Sequence, residues 1–170
     1  FEEKLTLKRS NAHEIVAEEC MAIREGVALL DITGFSRFEV TGENSEAWLN
    51  QIFATKLPKP GRARLGVMLS FSGKLIGDLT LLNWGDGTYW FMGSYYLGAW
   101  HLRWFNEQLK DGVCIKDLGD EICGFALIGP DSYSVLEKVA EEDVSNLRFM
   151  DCKRLDIGLV RSNVARMSVT

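Results

Sequence analysis

One carboxylate stands inside an apolar run. In FSGKLIGDLTLL, residues 71–82, Asp78 is surrounded by Leu75, Ile76, Leu79, Leu81 and Leu82. The run reads as a strand, and a strand alternates its faces. Asp78 then shares a face with Ile76, Thr80 and Leu82. Aspartate is depleted in strands, and burying an unpaired carboxylate costs several kcal/mol even after relaxation. Either that face is open to water or a partner compensates the charge. A fixed carboxylate stabilises positive charge as it develops and, at a suitable pKa, relays a proton. Two neighbouring features bear on this chemistry. Trp84, Tyr89, Trp90, Phe91, Tyr95 and Tyr96 cluster around the next hairpin. They read either as a stacking platform for a ring or as core, with Trp90 and Phe91 favouring core. Lys56, Lys59, Arg62 and Arg64 form a basic loop in an acidic chain. They suit ligand carboxylates, although a solvated loop is the commoner use of such a run. By type alone Met92 is core filler.

Other chemistries lack their residues. There is no G-x-G-x-x-G after a strand, no G-x-x-x-x-G-K-[ST], no H-E-x-x-H and no G-x-S-x-G. Cys20, Cys114, Cys123 and Cys152 form no C-x-x-C pair, and His13 and His101 are the only histidines. No metal site is expected from so scattered a set. Reduced thiols are expected, with a Cys114–Cys123 bridge conceivable. The net charge of -5 argues against nucleic acid as the main partner. No apolar run reaches the length of a membrane span, and the charged start FEEKLTLKRSNAHEIVAEE does not read as a signal peptide. The absence of an initial Met is consistent with a piece of a longer protein.

The elements that would position Asp78 follow from periodicity. Val16, Cys20, Ile23, Val27 and Leu30 predict a helix over residues 11–30, capped by Ser10 or Asn11. SRFEVTG alternates Phe38 and Val40 against Arg37 and Glu39, a half-buried strand ended by Gly42. A helix over roughly 44–54 stops before Pro58 and Pro60. LGVMLSF, KLIGDLTLLNW and TYWFMGS read as three strands, the last two joined at Gly85-Asp86-Gly87. Residues 97–110 return to helix, with Trp100 and Trp104 inward. VCIKDL and CGFALIG are short strands, Asp131 or Ser132 opens a helix, and IGLVRSNVARMSV reads as one or two strands. Interleaved helices and mostly antiparallel strands make an α+β fold, treated as one unit over 1–170. The order of elements is suggestive of a partial duplication, although no sequence repeat supports it.

Three stretches carry a resemblance: REGVALLDITGFSRFEVTGENSEAWLNQIFAT, LPKPGRARLGVMLSFSGKLIGDLTL and CGFALIGPDSYSVL. They resemble the aminomethyltransferase family, the folate-binding domain of the glycine cleavage T-protein. The same domain forms the C-terminal part of dimethylglycine and sarcosine dehydrogenases. PKPG at 58–61 and LRWF at 102–105 lean toward the dimethylglycine dehydrogenase branch. The resemblance implies a tetrahydrofolate-binding domain of two related subdomains, cut before the rest of the second subdomain and a C-terminal barrel. It implies that Asp78 is the catalytic aspartate, beside the folate nitrogens that accept the one-carbon unit. Met92 and Ser94 fall on folate-lining hairpin positions, where T-proteins have Asn in place of Ser94. Leu65 falls where many members carry Tyr. Val169 falls where an aromatic residue precedes a T-G-E run.

The function so implied is one-carbon transfer to tetrahydrofolate. An N-methyl amine would supply the carbon, and 5,10-methylenetetrahydrofolate would be the product. FAD would sit in a separate domain of the same or a partner chain. The expected compartment is the cytoplasm, or the mitochondrial matrix in a eukaryote. Two alternatives stand beside it: a T-protein-like aminomethyltransferase or folate-dependent demethylase, and a non-catalytic docking module that keeps the fold.

Overall fold

The computed structural model describes residues 2–4 and 6–167. Five antiparallel strands form its main sheet in the order β3-β4-β5-β2-β6. They are β2 (Ser36–Thr41), β3 (Arg62–Leu69), β4 (Leu75–Asn83), β5 (Tyr89–Gly93) and β6 (Cys114–Asp117). Helices α2 (Ser45–Ile52) and α3 (Gly98–Glu107) pack on one face. Trp48, Leu49, Ile52 and Phe105 from the helices meet Phe38, Val40, Met68, Leu79, Leu81 and Phe91 from the sheet. Phe105 is the hub. Its ring lies 5.6 Å from Phe38, edge-on, and 5.5 Å from Phe91. The Trp48 indole N–H, buried with the rest, donates to the Gln108 carbonyl at 2.7 Å.

Glycines let this face close. A Cβ on Gly66 would lie 2.7 Å from Leu81, and one on Gly77 would lie 2.6 Å from His101 Nε2. The neighbouring side chains occupy the space a larger residue would need. The turn between β4 and β5 forms at Gly85-Asp86-Gly87, with positive φ at both glycines, as the sequence predicts.

Two strand pairs and two helices flank the sheet. A ribbon pairs β1 (Ala28–Asp31) with β7 (Phe125–Ile128). A hairpin pairs β8 (Cys152–Ile157) with β9 (Val160–Ala165). Helices α1 (His13–Glu25) and α4 (Ser132–Val139) bury no residue. The mixture of helices and antiparallel sheets is the expected α+β class.

Several local expectations are corrected. The predicted first helix stops at Glu25, because residues 28–31 pair with β7 instead of continuing the helical period. Its N-cap is Ala12, without a side-chain cap. The Ser10 hydroxyl instead accepts the Ala12 N–H at 3.1 Å. Residues 152–157 form a strand that the reading of the tail from Ile157 onward omits. All four cysteines are free.

Strand β2 is more buried than its alternation predicts, because β5 and β6 flank it on both sides. Arg37 is only 2% exposed. Its guanidinium donates to the carbonyls of Thr33 at 2.9 Å, Phe35 at 3.0 Å and Ile32 at 2.6 Å. Gly124 leaves it room, since a Cβ there would lie 2.1 Å from the guanidinium. Three charge-assisted hydrogen bonds thus bind the main sheet to the segment that leads out of the β1–β7 ribbon. Burial lowers the Arg37 pKa, with the Asp31 carboxylate opposing the shift. Replacing Arg37 with Met strands these carbonyls, and is expected to cost about 3 kcal/mol of unfolding free energy. Arg37→Lys should recover only part, lacking the planar fork. Guanidinium chloride titration measures both. A loss under about 0.5 kcal/mol for Arg37→Met would show that water serves the carbonyls equally well.

Candidate functional site

The other face of the sheet carries the candidate chemistry. Core-facing Gly77, Leu79 and Leu81 alternate with Asp78, Thr80 and Leu82, so Asp78 points away from the packed helices. Cross-strand pairing sets its neighbours. Leu65 pairs with Thr80, Thr80 with Met92, and Met92 with Arg37, a row across β3, β4, β5 and β2. Val67 pairs with Asp78 in the next row. Ser94 follows Met92 by two residues in extended backbone, φ -63° and ψ 136°, and so continues that face just past β5. Four of the five sequence-predicted residues, Leu65, Asp78, Met92 and Ser94, therefore belong to two adjacent rows of one face. The fifth, Val169, lies outside the described residues. The patch is about 10 Å wide across three strands and about 7 Å long.

One half of this face is covered and the other open. Ala63, Leu82 and Trp90 pack beneath Leu118 and Cys152, with Met92, Met150 and Ile122 at the margin. Trp90 Nε1 donates to Glu39 at 2.9 Å, so the indole of this covered half is anchored to the sheet. Beyond Met92 the cover ends. Val67, Thr80 and Met92 are half-buried, whereas Asp78 and Ser94 are exposed and Leu65 is 49% exposed. Among the described residues, Asp78 forms no ion pair. Exposure to solvent, with no compensating cation, is how the fold accommodates it.

One departure from strict alternation matters. The β3–β4 register shifts between Met68 and Leu69, because Leu69 pairs with Leu75 while Met68 pairs with Gly77. Ile76 sits in this bulge and packs on the helix-side core, rather than beside Asp78 as simple alternation predicts. Leu75, paired with Leu69 and exposed, takes the place beside Asp78 that Ile76 leaves.

The basic loop does not converge on Asp78. Arg62 is tied to Asp151, the contact that fastens residues 148–152 to the edge of β3. Arg64 is exposed on the opposite side of β3, paired with Leu81. Lys56 and Lys59 are exposed. Tyr95 and Tyr96 are exposed as well, 72% and 91%, in the turn that follows Ser94. Sequence reasoning missed Arg37 as the end of the Met92 row, because its alternation with Phe38 reads as a solvent-facing charge. Thr80 was visible as a face-mate of Asp78, but its place between Leu65 and Met92 depends on two strand pairings.

The family model described as the GCVT N-terminal domain matches residues 1–170. The chain belongs to that family. Human mitochondrial dimethylglycine dehydrogenase is 28% identical over 170 residues, covering 97% of this chain and 20% of that protein. The aminomethyltransferase of Bacillus licheniformis is 27% identical over 158 residues, covering 91% of this chain and 43% of that protein. The chain thus spans less than half of either relative. Among solved structures, aminomethyltransferase T of the glycine cleavage system from Bartonella henselae superposes with a TM-score of 0.73. It is 20% identical and the match covers 81% of this chain and 38% of that one, a likeness of fold. This GCVT-family chain is therefore related to both an aminomethyltransferase and a dimethylglycine dehydrogenase.

The covered half of the face makes a prediction about reactivity. Cys152 is buried there, and its thiol donates to the Asn83 carbonyl at 3.4 Å. Burial pushes its pKa up to about 11. Cys20, Cys114 and Cys123 are exposed. Iodoacetamide at pH 8 should label these three in native protein and spare Cys152, as read by peptide mass spectrometry. Labelling of native Cys152 at a comparable rate would contradict the closed packing of this half.

Proposed function

We propose that the open face around Asp78 binds tetrahydrofolate and that the domain transfers a one-carbon unit to it. The observation that carries the reading is that Asp78, Leu65, Met92 and Ser94 fall together on one exposed sheet face. They are the residues that the family resemblance assigns to folate, and they come from three separate stretches of strand. The donor set fits the group. Leu65, Val67 and Met92 give an apolar floor for a flat ring system. Asp78 is an acceptor for ring N–H groups, and the Thr80 and Ser94 hydroxyls both donate and accept.

Tetrahydrofolate supplies nucleophilic nitrogens for the one-carbon unit. The protein's share is electrostatic. Asp78, held by the pairing of β4 with β3 and not by an ion pair, orients an amine nitrogen through a hydrogen bond. It stabilises positive charge as the carbon is transferred and accepts the proton that nitrogen loses. In a dimethylglycine-dehydrogenase-like protein the carbon would come from an N-methyl amine oxidised at a FAD domain elsewhere. 5,10-Methylenetetrahydrofolate would be the product, and the mitochondrial matrix or the cytoplasm the compartment. The domain would then be the N-terminal part of the folate-binding unit. A T-protein-like transferase would use the same face, and the aminomethyltransferase relative favours keeping it in view.

Calorimetric titration of the full-length protein with tetrahydrofolate tests the reading, beside Asp78→Asn. The wild type should bind saturably. The variant should bind within about tenfold and form methylenetetrahydrofolate about 10²–10⁴-fold more slowly. No binding by folded wild type would overturn the folate reading in favour of a docking module. Turnover unchanged in Asp78→Asn would leave Asp78 a solvated spectator.

A further inference from the structure

His101 stands on the helix side of the sheet, against the strand residue next to Asp78. It projects from α3 and is fully buried. Its Nε2 lies 2.6 Å from where a Cβ on Gly77 would be, so only glycine admits the ring at this point of β4. Met68 of β3 reaches the same spot. The rings of Trp100 and Phe105, at 5.4 Å and 6.3 Å, border the imidazole on its own helix. Neither ring nitrogen has a hydrogen-bond partner among the described residues. A neutral imidazole in such a place forfeits one donor and one acceptor interaction. An imidazolium would carry two unmet donors and a charge, a far larger penalty.

The charged groups around it are few. Arg103 and Glu107 of α3 face solvent and pair with each other at 4.0 Å. β3 presents Met68 and β4 presents Gly77. Asp78, on the opposite face of β4, is the carboxylate whose field reaches the ring.

We propose that His101 is an acid-sensitive pin. Neutral, it seats α3 against β4 at Gly77, the residue before Asp78; protonated, it unseats α3 and removes the backing of the open face. Burial lowers the His101 pKa below its ordinary 6.5, with the Asp78 charge opposing the shift. The unfolded chain therefore takes up this proton at 6.5, and the folded chain only at lower pH. The stability His101 permits is complete above pH 6.5 and is lost as pH falls from 6.5 toward the folded value. The folded-to-unfolded ratio drops by up to about tenfold per pH unit in that window. The consequence for the ligand rests on the folate reading, whereas the consequence for stability does not.

The test uses the full-length protein between pH 8 and pH 5.5, comparing wild type with His101→Leu. Leucine fills a similar volume without a titrating group, and replacing an unpartnered polar group in this way is close to neutral. Denaturant titration at each pH gives stability, and calorimetry gives tetrahydrofolate affinity. In the wild type both should fall below pH 6.5, and His101→Leu should lose that part of the slope between 6.5 and 5.5. Equal slopes in the two proteins would overturn the proposal. So would a His101 pKa at or above 6.5, measured in wild type by hydrogen–deuterium exchange at the imidazole C2 carbon. That second measurement does not depend on the variant folding. If the wild type binds no tetrahydrofolate yet shows the His101-dependent slope, the folate reading fails and the pin stands.

Discussion

The register of β3, β4 and β5 decides what this domain can do. One face of the sheet is filled by α2 and α3 so closely that glycine stands at residues 66 and 77, where any Cβ would collide with a neighbour. Strand alternation then leaves no choice for the other face. Leu79 and Leu81 go in, so Asp78 and Thr80 go out. A slip of one residue would drive Asp78 into an apolar core and place two leucines in water. The carboxylate alone would cost several kcal/mol there. The same packing that stabilises the fold therefore presents the carboxylate, although no residue of the core belongs to the site.

The open face is bounded by structure that comes from far along the chain. Cys152, fastened to the sheet through the hydrogen bond from its N–H to the Gly61 carbonyl, covers one half of it. The contact between Arg62 and Asp151 holds the same segment to the edge of β3. On the opposite flank Arg37 ties the Met92 row to residues 32–35. These contacts explain why Leu82 and Trp90 are buried while Asp78, only a few residues away on the same face, is not. They also assign Arg62 a structural task, which removes it from the set of cations free to meet a ligand.

Local pattern made much of this legible. The β4–β5 hairpin follows from Gly85-Asp86-Gly87 between apolar runs, and α2 from its apolar spacing ahead of Pro58. The face shared by Asp78 and Thr80 follows from period two alone. What pattern could not supply was pairing at a distance. Residues 28–31 continue a helical stripe in the sequence, yet they pair with residues 125–128, nearly a hundred positions away. Arg37 reads as a surface charge until β6 and the segment around Gly124 close over it. Ile76 reads as a neighbour of Asp78 until the bulge turns it to the core. The grouping of Leu65, Asp78, Met92 and Ser94 came from family likeness, not from spacing. The strand register brings them to one face by a separate route. His101 gave no signal in sequence beyond being one of two histidines, and its burial depends on Gly77 meeting α3.

The pterin of tetrahydrofolate is expected on the open face of the sheet beside Asp78, and on no other surface. A crystal structure of the full-length protein with tetrahydrofolate tests it most directly. The ring system should lie over Leu65, Thr80 and Met92, with a ring N–H about 3 Å from the Asp78 carboxylate. A pterin bound elsewhere, with Asp78 left in solvent, would contradict it.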